Sequence, residues 1–159
     1  MKYKRLSNHE LQELEQDFVK FLAANSITAA DWEEIKSSSP VRTEELIALF
    51  SDLITERVLN ETKYLELLTP KTAQAILCAQ NEMILLAIYA PQDSSTDFTR
   101  FSAVRDLIQF AISDEQVKII SGKKKYRQER NLEIFNEMQN GFKIVKESPL
   151  FEGLKSVVK

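Results

Sequence analysis

One cysteine, one histidine and three glycines are all that this sequence holds of the residues from which many active sites are built. Cys78 has no second thiol in the chain, so no internal disulfide forms, and the cytoplasm is the expected compartment. A zinc site of ordinary nitrogen and sulfur ligands cannot be assembled from one of each. A Ser–His–Asp arrangement would have to use His9, which stands in the first turn of a predicted helix, where side chains are solvated. Cys78 sits in the apolar run AILCA, where a small buried thiol is the ordinary outcome. Average usage would put roughly 11 glycines in a chain of this length. With so few, neither G-x-x-x-x-G-K-[ST] nor G-x-G-x-x-G occurs, and no phosphate cradle of that kind is available. No cofactor is implied.

Long apolar runs are also missing. The longest, MILLAIYA at 83–90, is the size of a strand and far from the roughly 18 residues of a membrane span. The opening residues MKYKRLSNHE carry charge with no apolar stretch behind them, so neither a cleaved signal peptide nor a membrane role is expected. Met1-Lys2 is not a myristoylation start.

What remains is an ordinary globular composition. Apolar residues make up 43% and charged residues 28% of 159 positions, enough for one domain that buries a sizeable core. A single domain over 1–159 is expected, with a helical half at 1–60 and a sheet-containing half at 61–159. The formal charge of −3 is unevenly spread. Acidic side chains outnumber basic ones up to residue 117, whereas 118–159 is basic and able to attract an anion.

Local grammar divides the chain into elements. Ser7-x-x-Glu10 and Thr28-x-x-Asp31 are capping boxes, in which each side chain satisfies the other residue's backbone N–H. They open helices expected over about Asn8–Ala24 and as far as about Ser37. Ser39 followed by Pro40 is an N-cap with proline at the first helical position. In the helix that follows, Leu46, Ile47, Phe50, Leu53, Ile54 and Val58 recur at steps of three and four. From about Asn60 the pattern suits a strand, so this stretch joins the two halves. Strands are expected at Thr62–Leu68, then at Ala73–Ala79 and Met83–Tyr89 as a hairpin around Gln80-Asn81-Glu82. A helix over Asp97–Ile112 and a strand over Gln116–Ser121 follow. A helix from about Arg127 ends at Asn140-Gly141, with glycine left-handed just past its end. A strand at Phe142–Lys146 and a helix at Pro149–Val158 close the chain. The fold class is α+β, with three N-terminal helices packed on a small mixed sheet in the order β-β-β-α-β-α-β-α.

The strings SITAADWEEIK at 26–36, FSDL at 50–53, KYLE at 63–66 and KKYRQERNLEIF at 124–135 resemble an uncharacterised family of small bacterial proteins, a domain of unknown function. That resemblance implies a freestanding domain and no particular activity, cofactor or site.

Two groups of residues have the chemistry for a site. The segment Gly122–Arg130 places Lys123, Lys124, Lys125, Arg127 and Arg130 ahead of a helix, where backbone N–H groups and the helix dipole commonly hold anions. Tyr126 offers a ring on which a nucleobase can stack. The plainer reading is a solvated loop whose lysines deter sheet-to-sheet pairing. Asp52 and Glu56 lie one helical turn apart and are suited to acid–base work or to a hard cation, or else to a solvated face. Neither group carries a catalytic signature, so no catalytic residue and no metal ligand is assigned. The expectation is a cytoplasmic, non-catalytic interaction module, able to form a homodimer because its helices carry more apolar surface than a small sheet covers. The alternatives are a phosphate or nucleic-acid binder using 122–130 and a carboxylate-based enzyme.

Overall fold

The computed structural model describes residues 1–158. The chain divides into two compact units, Met1–Asn60 and Glu61–Lys159.

The first unit is helical. The helices are α1 (Asn8–Glu13), α2 (Glu15–Ala24), α3 (Ala29–Ser38) and α4 (Pro40–Glu61). Both capping boxes form, with Ser7 and Glu10 bonded reciprocally and Thr28 and Asp31 likewise. Ser39 accepts the Arg42 amide at 3.3 Å and Pro40 opens α4, as its position at a helix start favours. Where one helix was expected over 8–24 there are two, because Leu14 leaves helical geometry at φ −102° and ψ 21°. Nothing in the neighbouring residues explains that break. Helix α2 ends in a Schellman motif, in which Ser26 donates to the Ala23 carbonyl and Ile27 to the Leu22 carbonyl. Ser26 carries the positive φ of 60° that glycine ordinarily takes at this point. Phe18 packs edge-on against both Trp32 and Phe50, with centroids 5.1 and 5.0 Å away, and Phe21 tilts onto Phe50 at 5.4 Å. Of these rings Phe50 is buried and the other three are half-buried around it.

The second unit holds strands β1 (Tyr64–Leu68), β2 (Thr72–Cys78), β3 (Glu82–Tyr89), β4 (Lys118–Lys125) and β5 (Lys143–Val145). They form one sheet in the order β4-β3-β2-β1-β5. A mixed sheet was expected, but every pairing is antiparallel. The helices between strands lead the chain back to an antiparallel edge rather than across to a parallel neighbour. The helices of this unit are α5 (Val104–Ser113), α6 (Arg130–Gln139) and α7 (Pro149–Val157). The element order otherwise agrees with the sequence, and the fold class is α+β.

One face of the sheet carries the main core. Ala73, Ala75, Leu86 and Ile88 pack with Phe98, Leu107 and Ala111, and with Leu150, Phe151 and Leu154 of α7. Helix α7 is fixed by Ser148, whose hydroxyl accepts the Phe151 amide at 3.0 Å and donates to Glu66 at 2.9 Å. Helices α5 and α7 come so close at Gly153 that a Cβ there would lie 2.2 Å from Ile108 Cδ1.

The helix expected over 97–112 is interrupted. Phe98–Arg100 is a single 3-10 turn, and α5 starts only at Val104. Two bonds impose the interruption: Asp97 accepts the Thr99 amide in a tight Asx turn, and the Phe98 amide donates to the Pro70 carbonyl at 2.9 Å. Helix α6 stops where predicted, with Gly141 at φ +104° and the Phe142 amide on the Glu137 carbonyl.

Candidate functional site

The basic segment differs most from its expected form. Strand β4 does not stop at Ser121 but runs to Lys125, with Ile84, Met83 and Glu82 of β3 opposite Lys123, Lys124 and Lys125. The lysines therefore belong to a strand, not to a loop. That strand is the edge of the sheet, with β3 on one side of it and no strand on the other among the described residues. All of its eight residues except Ile119 are exposed.

Register sorts the side chains, because alternate residues of a strand point to opposite faces. Lys123 and Lys125 share the face of Ile84, which α7 partly covers. Lys124 is on the other face with Met83, and there its ammonium lies 3.2 Å from both Glu133 and Glu137 of α6. Burial works against the Lys124 charge, but the two carboxylates outweigh it and hold its pKa above the usual lysine range.

The helix N-terminus expected to bind an anion already has one from its own chain. Glu133 Oε1 accepts the amides of Arg127 at 2.5 Å and Gln128 at 3.2 Å. Although burial pushes the Glu133 carboxyl up, those two amides and Lys124 hold it below the ordinary carboxylate range. It is thus ionised at neutral pH. Helix α6 consequently begins at Arg130, three residues later than expected, since Arg127 and Gln128 are turned toward the carboxylate.

Arg130 is turned into the protein. Its guanidinium donates to the carbonyls of Thr62 (2.6 Å), Cys78 (3.0 Å) and Ala79 (3.2 Å) and to the Asn131 side chain (3.0 Å). A rigid planar fork suits this role, joining the ends of β1 and β2 to α6. The Tyr126 hydroxyl donates to the same Ala79 carbonyl at 2.8 Å, and burial pushes its pKa up to about 12. Cys78 is buried beside them, and its thiol is pushed by burial to about 11, which leaves it protonated and unreactive.

One family model matches residues 1–159. The chain belongs to DUF6495, a family of unknown function. No curated protein and no solved structure matches it.

In this DUF6495 chain the sequence-predicted cations fall into two sets. Lys124 and Arg130, with Tyr126, are tied to internal partners. Lys123, Lys125 and Arg127 extend exposed side chains that form no ion pair among the described residues, and Lys118 at the far end of β4 does the same.

The carboxylate pair has a different occupation. Asp52 accepts the backbone amides of Lys2 at 2.6 Å and Tyr3 at 2.9 Å, one on each oxygen. Glu56 accepts the Tyr3 hydroxyl and lies 3.6 Å from the Lys2 ammonium. Burial, and then Glu56, raise the Tyr3 pKa to about 12. Arg5 continues the attachment with a two-pronged bond to Glu44, and Ser51 accepts the Leu6 amide at 3.0 Å. The polar face of α4 thus binds the first six residues as a strap. His9 is solvent-exposed in the first turn of α1, 3.8 Å from Glu13. Among the described residues no cluster of three or more metal-ligating side chains exists.

Glu133, Glu137 and the strap were not among the site residues expected from the sequence. The strap joins residues about 50 positions apart, which no local pattern encodes. Glu133 was visible as an acid among cations, but its inward aim depends on where β4 ends.

Proposed function

We propose that this DUF6495 chain is a cytoplasmic, non-catalytic interaction module that takes an acidic, extended segment of a partner protein as an added strand on β4. The observation that carries the reading is the open edge of β4, eight residues long and lined by lysines. Such an edge presents alternate backbone N–H and C=O groups without partners, and an extended segment satisfies them as a strand of the same sheet.

The lysines select among occupants. A second copy paired antiparallel along the whole of β4 would set Lys118 opposite Lys125 of the other copy, and a register centred on Lys124 would set Lys123, Lys124 and Lys125 against lysines, which like-charge repulsion opposes. An acidic segment gains where a second copy loses. Nucleic acid fits the geometry less well, since the Tyr126 ring is half-buried with its hydroxyl bonded and Arg130 is turned inward. A carboxylate-based reaction is disfavoured because both oxygens of Asp52 hold backbone amides.

The test is a titration of isotope-labelled protein with a peptide alternating glutamate and threonine, with a lysine–threonine peptide as control. Amide shifts confined to β4 and its neighbour β3, weakening with salt, are expected from the acidic peptide alone. Charge reversal at Lys123 and Lys125 together weakens that binding roughly tenfold, the sum of two exposed charge pairs. Equal responses to both peptides, or none, overturn the reading.

A second reading rests on the helical unit. Leu49 and Leu53 are 57% and 47% exposed one turn apart on α4, an apolar pair suited to self-association. Sedimentation over a hundredfold range of concentration tests it, and a constant monomer mass removes it.

A further inference from the structure

We infer that the segment added to β4 carries two acidic residues and one apolar anchor on alternate positions, the anchor filling a groove between α7 and the β3–β4 edge. The inference rests on the strand-addition reading above and assigns its specificity.

The groove has a volume of about 530 Å³. Its floor is apolar, formed by Leu77 and Ile84 of the sheet with Phe151 and Val158. Two cations, Lys123 and Lys155, stand at its rim. Ser121 lines it on the β4 side, and this small side chain leaves the groove open toward the edge of the sheet. Leu77 and Ile84 are only partly buried, so the floor still has apolar surface to cover.

The register of β4 fixes which residues of a partner meet this groove. Ile119, Ser121, Lys123 and Lys125 project to the groove face, opposite Ile88, Leu86, Ile84 and Glu82. A strand hydrogen-bonded beyond β4 sets every second side chain beside these four, about 4.8 Å away. Its residue beside Ser121 reaches across that small side chain to the apolar floor. Its residues beside Lys123 and Lys125 meet cations that form no ion pair among the described residues. The pattern is therefore acidic-x-acidic-x-apolar, read in one direction or the other. Main-chain bonds hold such a segment whatever its sequence, and pockets for alternate side chains give the selectivity.

Four threonine-rich peptides test this on the full-length protein by calorimetry. Two carry paired glutamates and a leucine at alternate positions in opposite orders, and two are identical except for serine in place of leucine. The leucine peptide of one order is expected to bind roughly tenfold more tightly than its serine counterpart, the worth of burying one such side chain. Ser121→Trp fills the groove from an exposed strand position and erases that advantage while the serine peptide binds as before. Lys155→Glu, on the exposed side of α7, weakens the leucine peptide severalfold and serves if the tryptophan variant misfolds. Leucine and serine peptides that bind equally well overturn the anchor and leave strand addition standing. If no peptide binds, strand addition fails and the anchor fails with it.

Discussion

The most informative perturbation away from the edge itself is Glu133, because one carboxylate joins β4, the turn after it and α6. Glu133→Ala removes the acceptor for the Arg127 and Gln128 amides and one of the two partners of Lys124. A hydrogen bond to a charged group contributes about 1.5–3 kcal/mol, and water recovers part of it at a turn of this kind. Lys124 keeps Glu137, so its loss is small. The net expectation is a destabilisation of roughly 2–4 kcal/mol, or a fall in Tm of roughly 4–16 °C for a chain of this size. Glu133→Gln keeps an acceptor for the amides and loses only the charge, so about 1 kcal/mol is expected. The sign of the pH dependence follows from the lowered pKa of Glu133. A carboxyl held below its unfolded value stabilises the fold above that unfolded pKa, and the contribution is lost as pH falls through the folded one. The gap between wild type and Glu133→Gln should therefore be full at neutral pH and close in acid, below about pH 4. Thermal melts followed by circular dichroism across that range provide the assay. A gap that is absent at neutral pH, or equally large in acid, would refute the assignment of Glu133 as the anion of this helix start.

Other perturbations follow from the same geometry. Arg130→Met should be the most destabilising single change in this region, by roughly 3–5 kcal/mol, since it strips the donor from three carbonyls; urea denaturation measures it. Ser26→Gly should stabilise the protein by roughly 0.5–1 kcal/mol, because glycine adopts the positive φ at that helix end without strain, and a shift in the urea midpoint reports it. Asp52→Asn keeps one acceptor oxygen but replaces the other with a donor facing a backbone amide. It should release the strap, seen as faster exchange of the Lys2 and Tyr3 amides with α4 intact.

Much of the fold is legible locally. Both capping boxes, Pro40 at the start of α4 and Gly141 beyond the end of α6 are short-range devices whose residues stand within a few positions of one another, and each forms as its spacing dictates. The β2–β3 hairpin was readable for the same reason. The departures come from interactions between distant parts of the chain. Lysines are poor strand formers, so GKKK reads as a loop, yet pairing with Glu82–Leu85 of β3 carries β4 through it. The Phe98 amide is drawn to Pro70, which divides a stretch whose periodicity is helical throughout. The candidate site was half legible. Its charge was plain in the sequence. That Lys124 and Arg130 turn inward while Lys123 and Lys125 stay outward was not, because it depends on strand register and on a carboxylate from α6.

Strand addition at β4 has a signature that electrostatic contact with its lysines lacks. In an edge strand, successive amides point alternately toward the neighbouring strand and away from it. Hydrogen exchange of Lys118–Lys125, measured residue by residue with and without the glutamate–threonine peptide, reads this pattern directly. With strand addition, every second amide of β4, those directed away from β3, slows strongly on binding while the intervening ones change little. Peptide binding that leaves the outward amides exchanging at their free rate would contradict it.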